Sequence, residues 1–361
     1  MTGRTDMKHR TDIKHGTNIK HSTDIEPSAT ATLERTHELV LPQLRAVVAR
    51  LDSGVGAMAG YHFGWSTVDG TPAPGETGKL IRPALTLLAA EAVGAPAPSA
   101  VPGAVAVELV HNFSLIHDDI MDHDDLRRGR PALWRCFGAA SAILVGDALH
   151  ALAFEVLCEH ENPRAARALS VALRDLVCGQ ARDMEFSSRP WHGPDAVGVD
   201  EYRTMATQKT GALMSAALAV GAELGGGPPD TVAAFAEMGR HLGLAFQCVD
   251  DILGIWGDAG SIGKPALGDL REGKRTLPLL GALAGRDGRE IATLLDDAER
   301  TEPNLYRAAM LIERSGGRVL AQQEVVRQTG LATALLTRVP VPVEIRAEFT
   351  ALCEALVGRT R

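Results

Sequence analysis

The chain has 361 residues, 45% of them hydrophobic and only 4% aromatic, with a formal net charge of −8. That length suits one large domain or two ordinary ones, and the hydrophobic share is ample for a core. The negative balance argues against a nucleic-acid binder, and no apolar run reaches the roughly 18 residues of a membrane span. Five cysteines, at 136, 158, 178, 248 and 353, are scattered and odd in number. Neither a disulfide framework nor a zinc site follows, and a reducing, cytoplasmic setting is the expectation.

Residues 5–28 read TDMKHR, TDIKHG, TNIKHS and TDIEPS, four imperfect copies of a hexapeptide. With one apolar residue in six the repeat cannot build a core, so residues 1–30 are expected to be a disordered leader to a domain spanning 31–361. It also lacks the continuous apolar stretch of a signal peptide.

From about Glu34 the apolar residues recur every three and four positions, the helical period. A Gly/Pro-rich break from Gly54 to Gly78 follows. Helices are then expected over 79–93, 100–126, 138–158, 163–187, 198–225, 229–256 and 275–285. The last third adds 287–298, 303–314, 317–337 and 342–357. HENPR, HGPDAVG and GGGPPD supply turn chemistry between them. Alternating strand patterns are hard to find, so the fold class is all-α, and helices apolar nearly all round should line the interior.

Chemistry concentrates in HNFSLIHDDIMDHDDLRRGRP, His111 to Pro131. At about 100° per residue, Asp118, Asp122 and Asp125 share one stripe, with His111 two turns earlier and Asp119 turned away. Carboxylates one turn apart can bridge Mg²⁺, a hard ion that takes oxygen ligands and leaves sites for substrate phosphates. Arg127 and Arg128 follow at once, with forks suited to phosphate oxygens. By itself the cluster also fits a solvated acidic helix end.

A second pair, Asp250 and Asp251, closes another mostly apolar helix, and Lys264 (GKP) and Lys274 (GKR) follow it in glycine-containing loops. Two acidic clusters, each trailed by cations, fit two walls of one cavity around a polyphosphate. GKLIRP sets Lys79 and Arg82 at a helix start, where anions are favoured, though simple capping explains it equally. TQKTGAL carries Lys209 and Thr210 in a mostly apolar helix, where a lysine needs an anionic partner. Gln180 and Asp183 are either second-layer ligands or a satisfied polar network.

The ordered set GK-x-x-RP, H-x₅-HDD-x-x-D-x₄-RRG-x-P, GQ, KTG, FQ-x-x-DD and GKP…D-x₄-K resembles the trans-isoprenyl diphosphate synthases, the polyprenyl synthetases. The likeness runs from about residue 34 to 357, and it is to actinobacterial geranylgeranyl diphosphate synthases above all. It implies a single-domain antiparallel helical bundle around a deep central cavity, in a homodimer. The implied reaction condenses isopentenyl diphosphate with an allylic diphosphate (dimethylallyl, geranyl or farnesyl). By the resemblance, Asp118, Asp122 and Asp250 hold three Mg²⁺ ions, with Asp119 and Asp251 close by among the catalytic carboxylates. Arg127, Lys209, Lys264 and Lys274 would face the allylic diphosphate. Lys79, Arg82, His111 and Arg128 would face isopentenyl diphosphate, and Thr210 and Gln247 the carbocation.

Phe113 and Ser114, five and four residues before Asp118, resemble a pattern that stops chain growth with one aromatic, favouring a C20 product. Three departures stand out. Leu80 replaces the middle arginine of GKRLRP, Leu133 and Trp134 replace a small or polar pair, and Gly254 stands where the second acidic motif usually has a third carboxylate. Asp258 could take that place only if the helix persisted past Gly257. The missing acid keeps a Mg²⁺-dependent terpene cyclase open as an alternative. A non-catalytic subunit of a heteromeric synthase is the other, although it should have lost its acidic motifs.

Overall fold

The computed structural model describes residues 27–73, 77–257, 266–296 and 300–358. Most of the repeat, together with Asp258 and Lys264, lies outside the described residues. The first helix, α1 (Pro27–Val48), begins ahead of the expected Glu34 and takes in the end of the last repeat copy. The apolar period undercounts it because Thr32 and Thr36, polar by type, are buried: the Thr32 hydroxyl donates to Glu348 at 2.8 Å.

The Gly/Pro-rich break holds a helix that was not expected, α2 (Ser53–His62). Asp52 caps it, its Oδ1 accepting from the backbone N–H groups of Gly54 (2.8 Å) and Val55 (3.1 Å). Tyr61 and Phe63 at its end are buried. Cap and docking together outweigh the helix-weakening glycines.

Apart from two short helices that were not expected, Leu133–Phe137 and Gly268–Glu272, the remaining helices fall within two residues of the expected bounds, with two exceptions described below. They are α3 (Ile81–Ala92), α4 (Val101–Met121), α5 (Leu133–Phe137), α6 (Ala139–Glu159) and α7 (Pro163–Ser188). There follow α8 (Val199–Ala206), α9 (Ala212–Leu224) and α10 (Pro229–Trp256). Then come α11 (Gly268–Glu272), α12 (Leu277–Leu283), α13 (Gly288–Asp296), α14 (Glu302–Arg314), α15 (Gly317–Arg338) and α16 (Val343–Val357). Among the described residues one small sheet pairs Leu126–Arg127 with Arg130–Pro131.

α9 is buried over nearly its whole length and packs on α3, α7 and α10, while α4 lies against α3 and α6. By length and composition alone, two helical stretches could cross a bilayer, contrary to the expectation that no run was long enough: Ala97–Met121 and Ala139–Glu159. The first is a core helix of the bundle, two-thirds of its apolar window buried, and the charged Glu108, Asp118 and Asp119 lie along it.

The first exception to the expected bounds is α4, which stops at Met121 rather than 126. His123 takes a left-handed φ of 57°, and the Trp134 indole donates to the Asp124 carbonyl at 2.8 Å, turning the chain into the hairpin. Asp125 is therefore off the acidic stripe, pairing with Arg135 at 3.0 Å on the surface. The second exception is the stretch 198–225, where Thr207–Gly211 forms a π-turn between α8 and α9. An extra residue in one turn is invisible to periodicity, and such turns gather at functional sites. Here it carries Lys209 and Thr210.

Candidate active site

Two adjoining chambers open beneath the C-terminal ends of α4 and α10. One, about 400 Å³, is lined by carboxylates and cations, among them Asp118, Asp183, Lys209, Asp250 and Lys274. The other, about 540 Å³, is largely apolar and is lined by Phe113, Leu115, Leu176, Leu213 and others, with Arg82 and His111 at one side. Asp118, Lys209, Phe246, Gln247 and Asp250 belong to both, so they form the shared wall. A charged headgroup and an apolar tail can thus lie end to end across that wall.

The first wall is held by cations reaching in from other elements. Lys209 Nζ lies 2.7 Å from Asp183 and 3.5 Å from Asp118. Burial pulls the Lys209 ammonium's pKa down, but Asp118 and Asp183 more than offset this and hold it raised, so the lysine stays charged. Its position depends on a close crossing: a Cβ on Gly179 of α7 would lie 2.3 Å from the Lys209 backbone nitrogen. Lys274 Nζ sits 3.1 Å from Asp122 and 2.8 Å from Glu272. Asp183, left open from sequence, is thus the anchor of Lys209. Gln180 lines the apolar chamber, and its buried Nε2 has no hydrogen-bond partner.

Asp119 and Asp251, expected among the catalytic carboxylates, are both held by protein donors, and Asp251 also lines the polar chamber. Asp119 is 1% exposed and receives the Arg127 guanidinium, whose Nε lies 2.8 Å from its Oδ1. Arg127 also approaches Asp124 at 3.5 Å. Asp251 accepts from the Tyr202 hydroxyl at 2.5 Å, Gln247 Nε2 at 3.0 Å and the Leu277 N–H at 2.9 Å. Burial pushes its pKa up to about 6 against those donors. Both are buried one position past Asp118 and Asp250, the two acids that line both chambers, about 100° round each helix. Thr210 in turn donates to Gln247 Oε1 at 2.6 Å, leaving its oxygen lone pairs for the shared wall.

Arg127 and Arg128 part company because the hairpin turn puts Arg128 (φ 53°) and Gly129 (φ 72°) both in the left-handed region, the signature of a tight two-residue turn. The Arg128 guanidinium lies against Gly78, where an added Cβ would be 3.2 Å from Nη2. Leu80, in the place of the usual arginine, is buried at a left-handed φ of 48°, so it shapes the entry to α3 instead of offering charge. Arg82 Nη1 is 3.2 Å from His111 Nε2. A guanidinium only donates, so Nε2 accepts and the His111 proton is on Nδ1. Burial, then the charges of Arg82 and Arg128, hold His111 well below its usual pKa and therefore neutral. The isolated Nε of Arg82 is buried with no hydrogen-bond partner.

Beneath these cations lies a group that sequence reading missed. Glu108, 3% exposed, accepts from Asn112 Nδ2 at 2.8 Å, and Asn112 Oδ1 accepts from His62 Nε2 at 3.1 Å. Burial raises the Glu108 pKa to about 7, opposed by Asn112, Arg82 and Arg128. A raised folded pKa stabilises at low pH, and the contribution is lost as pH climbs from about 4.5 through 7. Wild type should therefore lose roughly 3 kcal/mol relative to Glu108→Gln across that window. Denaturant titrations at pH 5 and pH 8 measure it; an unchanged difference would refute the assignment.

The donor set fits Mg²⁺. Asp118 Oδ1 is buried with no hydrogen-bond partner, Asp122 caps α4 one turn on, and Asp250 faces them from the second wall. Among the described residues no three acidic, His or Cys side chains gather at one point, so no closed protein cage forms. A site completed by phosphate and water oxygens matches magnesium's habits.

A profile of the polyprenyl synthetase family matches residues 73–311. The (2E,6E)-farnesyl diphosphate synthase of Mycobacterium tuberculosis is 46% identical over 332 residues, 90% of this chain and 91% of that protein. The geranylgeranyl diphosphate synthase of the same organism is 43% identical over 300 residues, 81% and 84% of the two chains. A polyprenyl synthetase crystal structure from Streptomyces coelicolor superposes with a TM-score of 0.85 at 46% identity, covering 91% of this chain and 99% of that one. With two acidic walls, a cationic pocket and an apolar chamber on an all-α bundle, the chain belongs to the polyprenyl synthetase family and is a prenyltransferase of isoprenoid synthesis.

Proposed function

We propose that the enzyme joins isopentenyl diphosphate to dimethylallyl, geranyl or farnesyl diphosphate and releases linear all-trans C20 geranylgeranyl diphosphate. The observation carrying this reading is the shared wall, which sets a diphosphate-binding chamber end to end with an apolar one. Asp118 and Asp122 on one wall and Asp250 on the other would hold three magnesium ions on the allylic diphosphate. The bound ions would offset the diphosphate's charge and make it a better leaving group. Lys209, Lys274 and Arg127 keep further positive charge at that end, and Lys264 belongs to the same set. Arg82, His111 and Arg128, with Lys79, would hold the second diphosphate beside the apolar chamber.

When the allylic C–O bond breaks, its electron pair leaves with the diphosphate and a carbocation faces Thr210 and Gln247. The isopentenyl double bond attacks it, and a proton passes to the released diphosphate. The apolar lining keeps water from quenching the cation. Exposed Ile143 and Leu144 on α6 would offer apolar side chains to a second copy in a homodimer. A cytoplasmic location is part of the same reading.

Chain length rests on Phe113, because the relatives carry both farnesyl and geranylgeranyl names. Its ring meets His117 edge-on at 4.7 Å and His150 at 5.4 Å, and His150 in turn meets Phe154 at 5.3 Å. Phe113 and His117 line the apolar chamber, so this aromatic group would close it, while Ser114 would leave the turn above it open. Incubation with Mg²⁺, isopentenyl diphosphate and each allylic diphosphate should give C20, read by chromatography. C15 as the end product would overturn the length, and no condensation would overturn the transferase roles. Ser114→Phe should move the main product to C15 or shorter; an unaltered distribution would dismiss the aromatic floor as the stop.

A further inference from the structure

Glu108 is buried in the middle of α4, and the chemistry above gives it no role. Arg82 of α3 and Arg128 of the hairpin are the charges that act on it. Burial pulls the pKa of each arginine down, and on both the largest charge opposing that is Glu108. Among the described residues neither guanidinium pairs with it directly: its side chain takes a hydrogen bond from Asn112 Nδ2 at 2.8 Å. His62 Nε2 donates to Asn112 Oδ1 at 3.1 Å, which fixes the direction of that amide. Glu108 therefore acts on Arg82 and Arg128 through its field and leaves their N–H groups to other partners, the buried Arg82 Nε among them.

We propose that Glu108 is a positioning residue and proton acceptor of the isopentenyl pocket: it balances Arg82 and Arg128 while no diphosphate is bound, and takes a proton from solvent when one arrives. This rests on the assignment of Arg82, His111, Arg128 and Lys79 to isopentenyl diphosphate.

The physical reason is charge. A diphosphate carries more negative charge than the two arginines can offset while Glu108 is ionised, and a like charge entering a buried site disfavours the ionised form. The carboxyl is poised for this, since burial lifts it to about 7 against Asn112, Arg82 and Arg128. A proton on one Glu108 oxygen leaves the other to accept from Asn112, and no bond of the substrate changes. His62 of α2, at about 3, and His111 on α4, well below its usual value, are both held neutral chiefly by burial. Behind the arginines, Asp250 acts on Arg82, and Arg127, Arg130 and Asp119 act on Arg128. No group of α1, α6 or α9, which also pack on α4, acts on Glu108 to a like degree. The carboxyl then has its higher pKa with ligand bound, so affinity is greatest below about 7 and falls as pH rises past it.

Calorimetric titration of isopentenyl diphosphate into wild type and Glu108→Gln tests this, without Mg²⁺ or an allylic partner, in buffers of unlike ionisation enthalpy. At pH 8 wild type should take up most of a proton more than the variant. Between pH 6 and pH 8.5 its affinity should fall about tenfold relative to the variant's, the size of an ordinary coupling between two sites. In steady state the same change should fall on the KM for isopentenyl diphosphate and leave kcat alone. A merely structural glutamate would leave the two pH profiles parallel. Equal proton uptake in both proteins would overturn the proposal and move the proton to His111 or the ligand. Should Glu108→Gln fail to fold, infrared difference spectra of wild type decide: a protonated-carboxyl band must appear on adding the ligand at pH 8, and its absence overturns the proposal. If wild type binds no isopentenyl diphosphate at pH 6, the isopentenyl assignment itself falls, and this proposal with it.

Discussion

Asp118→Asn is expected to lower kcat about 10³-fold while the protein stays folded. The size follows from removing one charge-stabilising contact at the leaving group, which in other enzymes costs 10²–10³. Asp118 is the one acidic residue of α4 that lines both chambers. Its Oδ1 is buried with no hydrogen-bond partner, and Lys209, 3.5 Å away, keeps Asp183 at 2.7 Å as its nearer anchor. Asparagine keeps the shape and removes the charge. Asp119→Asn should behave differently, because Asp119 is the buried counter-charge of Arg127. Breaking a buried pair costs on the order of 3–5 kcal/mol of stability, so its effect should be read in the melting temperature. Steady-state kinetics and thermal melts on both variants test the distinction. Equal losses of kcat with no change in stability would remove it.

Gly179→Ala is expected to cost about 10²-fold in kcat through a residue that touches no substrate. The added methyl would lie 2.3 Å from the Lys209 nitrogen and 2.7 Å from its Cα, both backbone atoms that cannot swing aside. The π-turn is clamped from the other side too: a Cβ on Gly243 would be 2.4 Å from the Gly211 Cα. Relief must come from shifting α7 or the turn, and displacements near 1 Å at a reacting centre cost about 10²-fold. Overpacking adds roughly 1–3 kcal/mol of destabilisation. The loss should fall on kcat as Lys209 and Thr210 leave register. A variant with wild-type kcat would show that the turn tolerates the shift.

Sequence alone placed most helices because period 3.6 is a local property, written in residues such as those of α10, whose bounds Pro229 and Trp256 match expectation. It also pointed to the chemistry of the walls, since few patterns put Arg82, Asp118, Asp122, Lys209 and Asp250 in that order. It missed α2, where an Asp52 cap and the docking of Tyr61 decide against glycine propensity. It missed Glu108 because a single glutamate in an apolar helix carries no signal until Arg82, Arg128 and His62 surround it.

The residue order determined the all-α class, the two acidic motifs and the family, all of which depend on neighbours along the chain. Only the tertiary structure decided which acid of each pair lines both chambers, because that depends on what packs behind it. Asp119 and Asp251 turn to Arg127 and Tyr202, whereas Asp118 and Asp250 line the shared wall.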